Sequence, residues 1–249
     1  QYLNTPISNI SISIFRLCFA CILLVQTYHF IISDFIEQNI TKPFVLFPFI
    51  NGLEPASLTN LIILSYIMLL SNIGMLFNKI SRFSTLVFLL SFTYFWSLDK
   101  GYFNNHYYFI SLICFLLFVF NKKSSFSEII YVPKMYLFSL QGMVILVYLI
   151  SGINKINPYW LCDLQPVKHI LETKSNITNN AVFSKQGVIY FFTYLGLLFD
   201  LIIGVLLVFK KTRLLGFLLV LIFNIINFYL FQDIGEIGIF PFLMISTLV

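Results

Sequence analysis

A lysine placed at the break of an apolar helix can be an anchor or a reagent, and Lys155 is such a lysine. It sits in Tyr148-Leu-Ile-Ser-Gly-Ile-Asn-Lys-Ile-Asn-Pro-Tyr-Trp160. The run from Tyr136 to Ile153 is nearly all apolar, Pro158 cannot continue a helix, and Asn154 and Asn157 favour caps and turns. As an anchor, Lys155 would snorkel to the membrane surface. As a reagent, desolvated among Tyr148, Tyr159 and Trp160, its ammonium form would be disfavoured and the amine would serve as a general base.

A second stretch, Trp96-Ser-Leu-Asp-Lys-Gly-Tyr-Phe-Asn-Asn-His-Tyr-Tyr108, packs Asp99, Lys100, Asn104, Asn105 and His106 among aromatics. Its structural reading is a capped turn, with Asn104 or Asn105 as the helix N-cap. The third group is single. Asp200 lies near the middle of an apolar run, where a carboxylate is costly and needs a partner, and Arg16, one turn into the first apolar run, is the partner expected from the sequence as a structural pair. Asn224 and Asn227, at i and i+3, share a helix face and suit hydrogen bonds between helices.

The elements that must position these residues are membrane helices. The chain of 249 residues is 59% hydrophobic and 10% charged, with a mean hydropathy of +0.91, far from the roughly one-quarter charged residues of soluble domains. Apolar runs recur at 10 to 32, 57 to 77, 82 to 98, 105 to 120, 136 to 153, 188 to 209, 213 to 231 and 237 to 249. They predict an all-α, polytopic bundle of about eight transmembrane helices, because backbone groups in lipid must be satisfied internally and no long period-2 alternation points to a barrel. Residues 1–249 read as one transmembrane domain, and a chain starting at Gln1 and stopping at Val249 within an apolar run reads as trimmed. Between Trp160 and Gln186 the sequence predicts a short amphipathic helix, with His169 and Glu172 a solvated pair, and then a loop from Ser175 to Asn180.

The net charge of +5 is informative through its distribution over loops and implies no nucleic acid partner. Lys79 with Arg82, Lys122 with Lys123 and Lys134, and Lys210 with Lys211 and Arg213 mark alternate connections as cytoplasmic. The amino terminus is then cytoplasmic, and Asp99, Lys100, His106, Lys155, Asp233 and Glu236 fall at outward helix ends. Cys18 and Cys21 spell C-x-x-C inside an apolar helix, a setting for packing rather than redox exchange. No cluster of His, Cys and carboxylate has the spacing of metal ligands, so no metal is expected.

Three blocks give the chain a family likeness: Leu98-Asp-Lys-Gly-Tyr-Phe-Asn-Asn-His-Tyr-Tyr108, Val147-Tyr-Leu-Ile-Ser-Gly-Ile-Asn-Lys-Ile-Asn-Pro-Tyr-Trp160, and Leu198-Phe-Asp-Leu-Ile-Ile-Gly204 with Arg213 following. From about Phe15 to Phe242 the sequence resembles the HTTM (horizontally transferred transmembrane) domain, the membrane domain of vitamin K-dependent γ-glutamyl carboxylase. The resemblance implies that Lys155 matches the base that deprotonates a reduced naphthoquinone, reduced vitamin K or a relative, so that O2 adds and an epoxide forms through a strongly basic alkoxide. In the carboxylase that base removes a glutamate γ-proton and CO2 captures the carbanion, with the histidine matching His106 assisting.

The implied cavity is lined by Asn105, Asp99, Asn154, Tyr148, Trp160, Asn227 and Glu236, and the implied acceptor is a peptide or protein on the outward side, with an accessory subunit as a possible partner. The sequence departs from the carboxylase at Asn154, where that enzyme has a first lysine, and at Asn224, where it has a histidine. The large lumenal portion that holds the glutamate substrate in the carboxylase is not among these 249 residues. The second expectation is an HTTM protein resembling those of bacterial toxin-peptide maturation systems, which acts with a partner on a secreted peptide. A third expectation is a non-catalytic scaffold in which Lys155 only anchors. The Ile, Asn, Lys and Phe bias points to an AT-rich bacterial genome, which would place the chain in a bacterial inner membrane with the active face periplasmic or extracellular.

Overall fold

The computed structural model describes residues 2–43, 45–120, 130–232 and 238–247. Ten α-helices follow in order among these residues: α1 Ile10–Ile32, α2 Leu58–Met75, α3 Ser81–Ser97, α4 Asn105–Phe120, α5 Lys134–Asn154, α6 Pro158–Leu161, α7 Val167–Thr178, α8 Gln186–Val208, α9 Arg213–Phe231 and α10 Phe240–Ser246. The architecture is the expected all-α membrane bundle. Among the described residues a single pair of short strands interrupts it, β1 Pro6–Ser8 antiparallel to β2 Tyr131–Pro133. Glu236 and Asp233 lie outside the described residues, as does the loop containing Lys122, Lys123 and Glu128.

Five helices, α1, α2, α5, α8 and α9, are long and apolar enough to cross a bilayer. The third and fourth expected spans are the shorter helices α3 and α4, of 17 and 16 residues. The eighth is described only as the seven residues of α10. Large apolar side chains such as Leu198, Ile202 and Val205 on α8 are exposed, as lipid-facing positions require.

The chain divides into two compact units, residues 1–140 and 141–248. In the first, α1 packs on α2, α2 on α3, and α3 on α4. With no hydrophobic force to join helices in lipid, small side chains and hydrogen bonds do so. Gly74 of α2 lies so near Ser84 of α3 that a Cβ there would fall 2.2 Å from the Ser84 Oγ. Asn72 donates to the Thr27 Oγ1 at 2.8 Å, linking α2 to α1. Buried Arg16 donates to the Ser81 Oγ at 2.8 Å and to the Asn78 Oδ1, fastening α1 to the turn between α2 and α3.

In the second unit α9 packs on α8 and α10, and α7 lies against α8 and α9. The amphipathic segment foreseen after Trp160 is α7, whose Ile170 and Leu171 join Leu164, Ile189 and Leu230 in an apolar cluster. It runs to Thr178, further than the loop expected from Ser175, and ends where Asn179 takes the left-handed conformation at φ 51°. His169 is exposed, as a solvated residue should be.

The approach of α5 to α8 fixes the site described below. A Cβ at Gly152 would lie 2.8 Å from the Leu201 Cδ2 and 3.1 Å from its backbone nitrogen, and one at Gly204 would lie 3.0 Å from the Ile145 Cγ2. Because backbone blocks the space at Gly152, Gly152→Val should destabilise the protein by about 1–3 kcal/mol, the usual cost of overpacking. Thermal unfolding in detergent measures this. Gly187→Ala, with nothing within 4 Å of its Cβ position, should leave the transition almost unmoved.

Candidate functional site

The break that the sequence marks after Ile153 is a change of direction between two helices. Helix α5 ends at Asn154, and the Lys155 amide still donates to the carbonyls of Ser151 at 3.2 Å and Gly152 at 3.1 Å. Asn157 then caps α6: its Oδ1 accepts from the Trp160 amide at 2.9 Å while its Nδ2 donates to the Asn154 carbonyl at 2.6 Å. Pro158 takes the first helical position, where its missing N–H costs nothing.

This turn brings Trp160 back over its own lysine. The Lys155 Nζ lies 4.7 Å from the centre of the Trp160 ring, and the indole N–H donates to the Thr193 carbonyl at 3.1 Å, so the ring is held from α8. An ammonium over an indole face is worth about 0.5–2 kcal/mol, the more so when desolvated. Tyr159, by contrast, is 59% exposed and does not help to cover the lysine.

Lys155 turns inward. Its Nζ is 2.6 Å from the Asp200 Oδ2, and the Ser151 hydroxyl donates to the same oxygen at 2.6 Å. The side chains of Lys155 and Asp200 are 16% and 3% exposed. The pairing of Asp200 with Arg16 expected from the sequence is thereby corrected: Lys155 and Ser151 serve the carboxylate, and Arg16 is engaged with Ser81 and Asn78. The physical demand was read rightly, since a carboxylate at that depth must be partnered, but a helix end one turn past Ser151 reaches it.

Two residue stripes compose the site. Tyr148, Ser151 and Lys155 fall at i, i+3 and i+7, and Thr193, Gly196 and Asp200 repeat that spacing on α8. Gly196 leaves a notch beside the pair, since a Cβ there would be 3.9 Å from both the Lys155 Nζ and the Trp160 Cζ2. Tyr148, buried on α5, accepts a hydrogen bond from Asn224 of α9 at 3.2 Å and meets Phe199 edge-on at 5.6 Å. Ser151, Thr193 and Gly196 were not singled out from the sequence, although the repeated spacing on α5 and α8 was there to be found. Asn154 is exposed at the end of α5, and Asn227 is half-buried on α9.

His106 belongs to the first unit and is half-buried at the start of α4. Its amide donates to the Asn104 Oδ1 at 2.9 Å, so Asn104 does the capping and Asn105 is the exposed first residue of the helix. Buried Asp99 accepts from the Gly101 amide at 2.8 Å and shapes the turn before it. The segment leading into α2 is tied to this turn by backbone bonds, Lys100 N–H to Phe47 at 2.7 Å and Phe49 N–H to Ser97 at 3.0 Å.

Long apolar helices joined by small residues, with an ion pair between two of them, define an integral membrane protein. The chain belongs to the HTTM family, whose domain model matches residues 4–249. No solved structure matches it.

A buried ion pair broken on one side leaves an uncompensated charge, at about 3–5 kcal/mol. Lys155→Ala and Asp200→Asn should each lower the unfolding temperature, Lys155→Ala the more. The double variant should lose clearly less than the sum of the two, by a coupling of about 0.5–3 kcal/mol. Additive losses in this cycle would mean that the two side chains do not interact.

Proposed function

We propose that this HTTM protein is a membrane enzyme in which Lys155 acts as the base toward a reduced naphthoquinone co-substrate, coupled to carboxylation or another modification of a peptide or protein presented on the outward, periplasmic or extracellular, face. The observation that carries the reading is the inward turn of Lys155, sequestered under Trp160 and against Asp200 and 16% exposed. A lysine that only anchored the helix would extend to the membrane surface, so the inward turn argues against snorkelling, and the indole cover over the paired amine supports a chemical role.

The site suits an uncharged, flat co-substrate. The missing side chain at Gly196 leaves room beside an amine and an indole face, where a hydroxyl of the co-substrate would meet Nζ. The reduced quinone would supply, on oxidation by O2, the strong base that the acceptor needs. Lys155 holds and moves the proton at Nζ, and Trp160, fixed by Thr193, orients and covers that atom. The burial of Asp200, 3% exposed among apolar helices, suits such chemistry, because keeping water away protects a strong base from being quenched. His106 is assigned the assisting role toward the acceptor by its family position, and CO2 is the expected third reactant where the acceptor is a glutamate.

The test is incubation of purified protein in lipid with reduced vitamin K and oxygen. Wild type should form the epoxide, and Lys155→Ala should lose activity by about two orders of magnitude or more, in keeping with loss of a general base. Epoxide formed equally by both would remove Lys155 from the chemistry. Maturation of a secreted peptide that requires Lys155 but yields no epoxide would favour the peptide-maturation reading.

A further inference from the structure

A lysine in contact with a carboxylate is a poor base, because the ion pair holds its proton in place. The structure offers a resolution in the same contact. We infer that Asp200 is a positioning residue that governs the reactivity of Lys155, holding its ammonium against Oδ2 at rest so that the amine is released to the co-substrate only when that hold is broken. The inference rests on the reading of Lys155 as base and assigns the carboxylate that this reading lacks.

The geometry is that of a short, charge-assisted contact. Nζ and Oδ2 are 2.6 Å apart, and the Ser151 hydroxyl donates to that same oxygen at 2.6 Å. At rest the pair holds one transferable proton, as ammonium and carboxylate. Its shift from Nζ to Oδ2 gives amine and carboxylic acid, with no change in total charge. Beside a carboxylate only 3% exposed that neutral form has the advantage that no separated charge has to be solvated. When the amine then takes the proton of a bound hydroxyl, the pair becomes ammonium and carboxylic acid, at one positive charge, against one negative charge on the bound oxygen. Protons and charge balance, and no further reagent is required.

Few other groups within the unit bear on the pair. From α5 come Tyr148 and Ser151, from α6 the uncharged indole of Trp160, and from α9 Asn224, which is bonded to Tyr148. Tyr194 of α8 directs its hydroxyl to the Leu161 carbonyl at 2.9 Å. Among the described residues, Lys155 and Asp200 form the one ion pair of the second unit. The same residue pair therefore accounts for both the cost of burying Asp200 and the silence of Lys155 until a proton moves.

The experiment reads the lysine directly, without turnover. Wild type, Asp200→Asn and Asp200→Glu, each in detergent, are treated at neutral pH with a small activated acetate ester, and acetylation of the peptide containing Lys155 is followed by mass spectrometry. Removing the carboxylate frees the amine, so Asp200→Asn should be acetylated about tenfold faster or more, and Asp200→Glu should return toward the wild-type rate. Equal rates in wild type and a folded Asp200→Asn would overturn the inference. Should Asp200→Asn fail to fold, Ser151→Ala keeps the carboxylate and removes one donor from it, which strengthens its hold on the ammonium; slower acetylation than wild type is expected, and an unchanged rate overturns the inference. Accelerated acetylation in Asp200→Asn alongside no epoxide from wild type supports the control of Lys155 by Asp200 while removing the epoxidation reading.

Discussion

The constraint on which the second unit depends is that a carboxylate within an apolar helix must be answered from another helix. Asp200 cannot be left to lipid, and the answer comes from Lys155 and Ser151 across the α5–α8 contact. That contact is close because Gly152 and Gly204 lack the side chains that would hold the helices apart. Trp160 completes the arrangement because α5 stops at Asn154 and Pro158 starts a new helix that folds the indole back. Backbone economy and side-chain chemistry are thus the same feature seen at two scales.

The first unit meets a similar demand differently. Arg16 is buried on α1 and, among the described residues, donates to Ser81 and Asn78 at the α2–α3 turn. A guanidinium has five donors in a planar fork and can be distributed over several neutral acceptors, whereas a lone carboxylate deep in a helix calls for a cation. This difference explains why matching the two most costly charges of the sequence to each other was reasonable and was superseded.

Much of the fold was legible because lipid imposes so few solutions. The apolar runs marked the membrane helices within a few residues, and the Lys155 break was located by Pro158 and the two asparagines around it. What escaped was information held between helices. Nothing local to Ser151, Thr193 or Gly196 signals a site; only the coincidence of their spacing with Lys155 and Asp200 does. The β1–β2 pair escaped for a related reason, since three-residue strands 125 residues apart have no periodicity to read. The family likeness supplied a role for Lys155 but not its partner.

The central claim is that Lys155 keeps Asp200 ionised inside the membrane, and infrared spectroscopy of the carboxyl group in lipid tests it most directly. In wild type at neutral pH, Asp200 should contribute no acid carbonyl stretch. In Lys155→Met the lone carboxylate should take up a proton rather than stay charged in an apolar site, so an acid carbonyl band should appear and be absent from Lys155→Met/Asp200→Asn. Identical carboxyl spectra for wild type and Lys155→Met would contradict the account.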